Sequence, residues 1–471
     1  MDSITDLLDL EDPNIYVSDT RIDGNTKTLV LASHPVATFC PLCGYRMYSR
    51  GTKIRKITHP ILQDGYKLKI ELKQRRWQCT NDACKYNTEE TFKFVDKGRR
   101  NTNATDMLIV QAFRDLDQSS TRIAERFHTS DTHVLEIFDK YVRLDRLPLT
   151  DIISVDEVYT EIEPSCAYSL IIQDFYTGDT IDILRSRKAN VTEPYFANLP
   201  KEEREAVKYL ISDMYSPYID YVNKYFPNAV SVVDSFHVIQ WMIHSIDNYL
   251  RSLTKKYKTR DRELYLSSHP YEQLYPEKPR IPLSDEVYLL QKFRWLILSN
   301  QSSITYHADP RWDRHFKRMM NSYDYEDLLF HMDSRLQRLR ELKECYIDFN
   351  TRNAGSPISA ATEIDKLITT YRNSSDSIFI EFANTLNRYK PYIINSFVMV
   401  EKYGAGKLID ARLSNGPIES LNRKIKDLKR LGRGFKNFEH FRNRFLYATR
   451  NNPVLNGSYS SIQVHYYDED D

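Results

Sequence analysis

Two groups of residues in this chain have the types and the spacing to do chemistry. The first is built on sulfur. Cys40-Pro-Leu-Cys43-Gly44 and Cys79-Thr-Asn-Asp-Ala-Cys84 form two close pairs, while Cys166 and Cys345 stand alone among the six cysteines. The acidic start of the chain has no basic flank and no apolar run, so a reduced, non-secreted setting is expected, in which paired thiols read as metal ligands rather than disulfides. A CPxCG turn aims two thiolates at one point, and a second pair brought up by an intervening hairpin completes a tetrahedral site. The alternation from Tyr66 to Trp77 supplies a strand for that hairpin. One structural Zn²⁺ on Cys40, Cys43, Cys79 and Cys84 is the expectation; four buried free thiols are the alternative.

The second group is built on oxygen. Asp156 is expected near the end of the first strand of a β-rich stretch, Asp213 at the end of the fourth, and Glu419 in the first turn of a late helix. Carboxylates gathered at one sheet edge repel one another unless cations bind between them, and hard oxygen ligands select Mg²⁺ or Mn²⁺. Two such ions can activate a nucleophile and stabilise the leaving oxygen of an in-line phosphoryl displacement. Acids at strand ends also serve as caps and turn residues, and Glu157 and Asp174 compete with Asp156 for the first position. Asp234 and His237 lie three apart where a strand runs into a helix. They either face the same edge or act as a helix cap and a core histidine.

The elements that must position these residues can be read from periodicity. Strands are expected at 152–159, 168–174, 180–184, 207–213 and 229–234, with a helix opened by Ser216-Pro217 and another over 236–250. The order βββαβαβα describes a mixed sheet with helices packed on it. Residues 251–400 show no strand-like alternation and read as a helical insertion. A helix then starts at Pro417, and Gly432 and Gly434 separate it from one beginning near Phe438. Upstream, 104–145 reads as helical, with helix-turn-helix spacing over 119–141: Ile123 and Ala124 inward, Ser130 or Asp131 capping, and Val134, Leu135 and Phe138 as the stripe of the second helix. An ordinary helical hairpin is the alternative. Leu147-Pro148-Leu149 marks a boundary.

At 471 residues the chain has room for about three domains. With 28% charged and 41% hydrophobic residues it is globular rather than disordered. Glycine is scarce, at 13 residues, and no GxxxxGK[ST] or GxGxxG stands between a strand and a helix, which disfavours ATP and dinucleotide chemistry. No run of about 18 apolar residues is present to span a membrane. The formal charge of +1 conceals two cationic segments, 46–100 and 402–450, each with a net charge of +9. That is the footprint of a polyphosphate partner. Lys73, Arg75 and Arg76 are expected to meet phosphate, and Thr132 and His133, early in the second helix of the pair, to meet bases. Beside the apolar stripe of Ile418, Leu421, Ile425 and Leu428, a neighbouring face with Asn422, Arg423, Lys426 and Arg430 is expected to meet DNA.

Taken together, the Cys40/Cys43 and Cys79/Cys84 pairs, the helix pair, Ser154-Val-Asp156-Glu, Ser212-Asp213-Met, Val233-Asp234-Ser-Phe-His237 and Ser414-Asn-Gly-Pro-Ile-Glu419-Ser-Leu-Asn422-Arg-Lys-Ile-Lys426 resemble the DDE transposases of the ISL-three group of bacterial insertion sequences. The resemblance covers nearly the whole chain, and its last two motifs are the most specific. It implies a multidomain α+β protein: an N-terminal zinc finger, a helix-turn-helix and an RNase H-like α/β core with a mixed sheet, interrupted by a long all-α insertion between Asp213 and Glu419. The implied boundaries are an acidic segment 1–38, finger 39–100, helix-turn-helix 101–148, core 149–250, insertion 251–400, last core part 401–450 and acidic tail 451–471. Catalytic roles fall on Asp156, Asp213 and Glu419, holding two Mg²⁺ or Mn²⁺, with Asp234 and His237 in support. The implied function is binding of terminal inverted repeats, then DNA cleavage and strand transfer by at least a homodimer in the bacterial cytoplasm at the nucleoid, with no membrane partner. A DNA-binding regulator without catalysis and a structure-selective nuclease on the same fold are the rival readings.

Overall fold

The structure is a computed structural model describing residues 8, 10, 12–59, 67–269, 271, 281–404, 407–432 and 435–455. Tyr66, Gly434, most of the first eleven residues and the tail from 456 lie outside the described residues. The chain divides into two compact units: Met1–Arg146 with Tyr159–Ala167 and Arg423–Asp471, and Leu147–Val158 with Tyr168–Asn422.

The first unit opens with strands β1 (Ile15–Asp23), β2 (Thr26–Ser33), β3 (Met47–Thr58), β4 (Lys67–Cys79) and β5 (Asn87–Glu89). They form one sheet in the order β1-β2-β4-β3, with β5 also on β4 and with β2 and β4 parallel. Residues 15–33, read from sequence as part of an acidic segment, are therefore sheet strands. Asp19 and Asp23 sit at exposed positions, while Leu29 and Leu31 turn inward onto Ile57, Ile70 and Leu72. Three helices follow, α1 (Asn103–Ala112), α2 (Ser120–Arg126) and α3 (Asp131–Tyr141). Thr102, Ser119 and Ser130 cap them through their hydroxyls. Between α2 and α3 the chain turns with His128 at φ +53°. The buried stripe of α3 is Val134, Ile137, Phe138 and Tyr141. Leu135, expected in that stripe, is only half-buried, because the stripe follows the i, i+3, i+4, i+7 positions from Val134.

The second sheet is formed by β6 (Ile152–Glu163), β7 (Cys166–Asp174), β8 (Thr180–Leu184), β9 (Tyr209–Ser212) and β10 (Val230–Val233), with α4 (Ala189–Ala197), α5 (Lys201–Ala206) and α6 (Ser216–Tyr225) between its strands; all but residues 159–167 belong to the second unit. The strand order is β10-β9-β6-β7-β8, with β10, β9 and β6 parallel. The alternation of each strand splits its residues between two cores. Ile153, Val155 and Leu210 pack with Phe196, Tyr218, Tyr221 and Val222 of α4 and α6. Ile152, Ile211 and Val232 line the opposite face, where Leu413 packs.

From β10 the chain enters α7 (Ser235–Ser268), a single 34-residue helix that continues well past the expected end at residue 250. Met242, Ile246, Leu250 and Leu253 keep one buried stripe along it, so nothing in the pattern stops it there. The helices α8 (Asp285–Lys292), α9 (Trp295–Leu298), α10 (Ser322–Met332), α11 (Ser334–Arg352), α12 (Pro357–Arg372) and α13 (Ser377–Asn395) share an apolar core with α7. The expected all-α character of residues 251–400 is corrected by one small hairpin. In β11 (Arg311–Asp313) and β12 (Arg318–Met320) the turn is held by polar contacts rather than by alternation. The Asp313 carboxylate accepts the His315 and Phe316 backbone N–H groups and the Tyr288 and Tyr325 hydroxyls at 2.6–3.0 Å, which drives its pKa down to about 2 despite partial burial. β13 (Met399–Gly404) pairs with β14 (Lys407–Arg412). The chain then forms α14 (Gly416–Leu431), with Ile418, Leu421, Ile425 and Leu428 buried, and α15 (Phe438–Thr449). In the first unit, Arg444 of α15 donates to the carbonyls of Phe113, Asp115 and Gln118. These bonds tie α15 to the connection between α1 and α2.

Candidate active site and metal centre

Strand register places the acids. Ser154 pairs with Ile211 on β6 and β9, and Ser212 pairs with Val233 on β9 and β10. Continuing both registers by one or two residues puts Asp156, Asp213 and Asp234 level on three adjacent parallel strands, Asp213 and Asp234 just past the ends of β9 and β10 and Asp156 within β6. Parity puts them on one face. Asp156 follows Ile152 and Ser154, Asp213 follows Ile211, and Asp234 follows Val232, all on the face that carries Leu413. Leu413 anchors the segment that enters α14, whose first turn carries Glu419. Asn415 secures that entry: its carbonyl accepts the backbone N–H groups of Ile418 and Glu419, and its Nδ2 donates to the Val155 carbonyl at 3.3 Å.

Parity also separates Asp156 from its competitors. Glu157 turns to the opposite face, where its carboxylate pairs with Arg187 and accepts the Tyr218 hydroxyl at 2.7 Å. Asp174 closes a turn, accepting the Thr150 hydroxyl at 2.8 Å and the backbone N–H groups of Tyr176 and Thr177 at 3.1 Å. Both acids are consumed by structure. Asp156 lies well inside β6, which runs seven residues beyond it, rather than near the strand's end.

Burial pushes the Asp156 and Asp234 carboxyls above the ordinary carboxylate range, and pushes Asp213 up to about 6, against the opposing pull of His237. Asp156 raises Asp213 further. Within the second unit, ligand atoms of Asp234, His237 and Glu419 lie within 4.8 Å of one another. Asp234 Oδ2 and His237 Nε2 are buried without a hydrogen-bond partner. This donor set of a buried and a half-buried carboxylate with an imidazole fits a divalent cation. Asn422, expected on the face that meets DNA, donates its Nδ2 hydrogen to Asp156 Oδ2 at 2.7 Å. Lying three residues after Glu419 on the same helix, it faces the same side, a spacing that the sequence already displays.

In the first unit the four expected sulfurs converge. Cys40 Sγ lies 3.7 Å from Cys84 Sγ, Cys43 Sγ lies 3.4 Å from Cys79 Sγ, and all four fall within 4.8 Å. A tetrahedral Zn²⁺ with bonds of about 2.3 Å requires sulfur–sulfur edges near 3.8 Å, so the spacing suits that ion. Gly44, at φ +73°, allows the tight return in which the Cys40 N–H donates to the Tyr45 carbonyl. The Tyr45 backbone lowers the Cys43 thiol to about 7.

The expected DNA contacts divide by environment. Arg76, Thr132, Arg423 and Lys426 are exposed. Arg430 is exposed and paired with Asp427 at 3.1 Å. Lys73 reaches the Ser18 hydroxyl at 3.5 Å. Arg75 is engaged internally, donating to the Ser33 and His34 carbonyls, and His133 Nε2 lies 3.0 Å from Asn101 Nδ2. The first unit also has a cleft of about 890 Å³ lined by Arg122, Arg430, Lys436 and His440 among others, residues that no local sequence pattern groups.

The family model described as Transposase, of the ISL3 type of DDE transposases, matches residues 153–445. The chain belongs to this family. No curated protein matches the sequence. The match takes in both ends of the transposase's carboxylate edge, from Asp156 on β6 to Glu419 on α14. No described helix is long and apolar enough to cross a membrane.

Two outcomes follow from these geometries. Purified protein should carry about one zinc per chain by elemental analysis, and Cys43→Ser should lose it while the second unit stays folded; a full zinc content in the variant would contradict the four-sulfur site. For Asp213, a carboxyl whose pKa is raised by folding stabilises the protein fully below its unfolded value, and that contribution is lost as pH rises through about 6. Without added divalent ions, Asp213→Asn should therefore match the parent near pH 4 and exceed it by up to about 3 kcal/mol at pH 7 in chemical denaturation.

Proposed function

We propose that this transposase binds the terminal inverted repeats of its element, frees a 3′-OH at the element's end and joins it to target DNA, using Asp156, Asp213 and Glu419 as the metal-holding residues of a DDE site on an RNase H-like core. The observation that carries this reading is the shared register and face of Asp156 and Asp213 on neighbouring parallel strands, with Glu419 delivered onto that face by Leu413 and Asn415. The strand order, three strands β6-β7-β8 extended by parallel β9 and β10, suits such a core. Divalent ions bound there would polarise the attacking oxygen and neutralise the leaving one.

The chain's own residues supply position and selectivity. Asn422 fixes one oxygen of Asp156 and orients the other. The helix that carries Glu419 continues into exposed Arg423 and Lys426, whose charges suit a phosphate backbone. α2 and α3, with exposed Thr132, form the proposed helix-turn-helix, and the four-cysteine module with Arg76 adds phosphate contacts. Pairing two element ends calls for at least a dimer in the working complex, and the cytoplasm is the proposed place of action.

Single Asp156→Ala, Asp213→Ala and Glu419→Ala changes should each abolish strand cleavage and joining on labelled repeat-end DNA in Mg²⁺ or Mn²⁺, with losses far from additive. Repeat binding should persist. Glu157→Ala should instead lower stability by about 1–3 kcal/mol, because it strands Arg187 and the Tyr218 hydroxyl, while activity per folded molecule remains. Joining by Asp213→Ala at the parental rate would overturn the assignment.

A further inference from the structure

We propose that Asp234, His237 and Glu419 form a metal position of their own, with a nitrogen ligand, distinct in donor character from the all-oxygen position at Asp156 and Asp213; the inference rests on the catalytic reading above. Capping does not account for Asp234. Its Oδ1 accepts the Phe236 N–H at 3.3 Å as a cap would, and the Asn415 backbone N–H pulls on the carboxylate, but the residue is 1% exposed and its Oδ2 has no hydrogen-bond partner among the described residues. A core role does not account for His237 either, since its buried Nε2 is also unpartnered. A buried carboxylate oxygen and a buried imidazole nitrogen, each lacking a hydrogen bond, cost about 1–3 kcal/mol apiece unless something else satisfies them. With a Glu419 oxygen they span no more than 4.8 Å, which an ion about 2.1 Å from each ligand bridges with small side-chain movement.

The donor types set the preference. Oxygen ligands alone accept Mg²⁺ and Mn²⁺ alike, whereas an imidazole ligand favours Mn²⁺ over the harder Mg²⁺. Glu419, coming from a different element than the three aspartates, ties this position to the catalytic edge, so Asp234 and His237 act as metal ligands rather than as distant supports.

The test is Mn²⁺ binding to the full chain, read by pulsed electron paramagnetic resonance for ¹⁴N coupling to the ion. The parent should show imidazole nitrogen coupling that survives a tenfold excess of Mg²⁺. His237→Ala and His237→Gln should both lose it and weaken that position at least about tenfold; the glutamine variant preserves polar volume in case alanine disturbs the fold. The coupling should persist in Asp213→Asn. Mn²⁺ bound without nitrogen coupling, in a parent that still cleaves DNA through Asp213, would overturn this inference and leave the catalytic reading standing. A parent that binds no Mn²⁺ and breaks no strand would overturn both.

Discussion

Three aspartates stand level with one another on one face of three parallel strands, drawn largely out of water, and the chemistry of the second unit depends on that burial. Burial disfavours each charged form directly, which is why the carboxyls rise in pKa rather than fall, and the charges of Asp156 and Glu157 add repulsion at Asp213. The neighbours offset only part of the cost. Asn422 donates one hydrogen bond to Asp156, the backbone of Tyr215 donates one to Asp213, and His237 exerts a favourable pull on all three. A site left in such a state in the absence of ions is one that gains from binding them, and strain of this kind concentrates where function requires it.

The sheet makes the arrangement possible. A parallel pair advances both strands in step, so residues equally far beyond the last paired positions emerge together. The period of two then decides which neighbour faces the acids: Asp156 lies on the Leu413 face and Glu157 on the α6 face, a choice made by one residue of register. Glu419 is distant in sequence, yet Leu413 packs on the same face and Asn415 caps the entry to its helix, so the long intervening chain does not loosen its placement. The intervening helices, α7 to α13, share one apolar core that also takes in Val233 of β10 and Ile219 of α6, so they pack directly onto the strand that leads to Asp234.

Much of this was legible in the sequence, for identifiable reasons. The strands carrying Asp156, Asp213 and Asp234 announce themselves by β-branched runs such as Val230–Val233, and the four cysteines by spacing. Parity alone could have removed Glu157 from contention, because Ile153 and Val155 mark the face that it shares. What was not legible depends on partners far along the chain. The β11–β12 hairpin owes its turn to Asp313 and to tyrosines on two helices, and no local alternation reports that. β1 and β2 join a sheet through β4, far along the chain, so a composition dominated by acids hid two strands. Asn422 and Arg75 look like surface contacts until the fold brings Asp156 and the Ser33 and His34 carbonyls to them.

The most direct measurement is anomalous scattering from crystals of the full chain soaked in Mn²⁺. If the carboxylate edge is the metal-holding site of the transposase, difference peaks will lie within about 2.5 Å of the Asp156, Asp213, Asp234 and Glu419 oxygens, and Asp213→Asn will reduce them. Mn²⁺ peaks confined to other acidic surfaces, with the edge empty at saturating ion, would contradict the claim that these residues were gathered to hold metal.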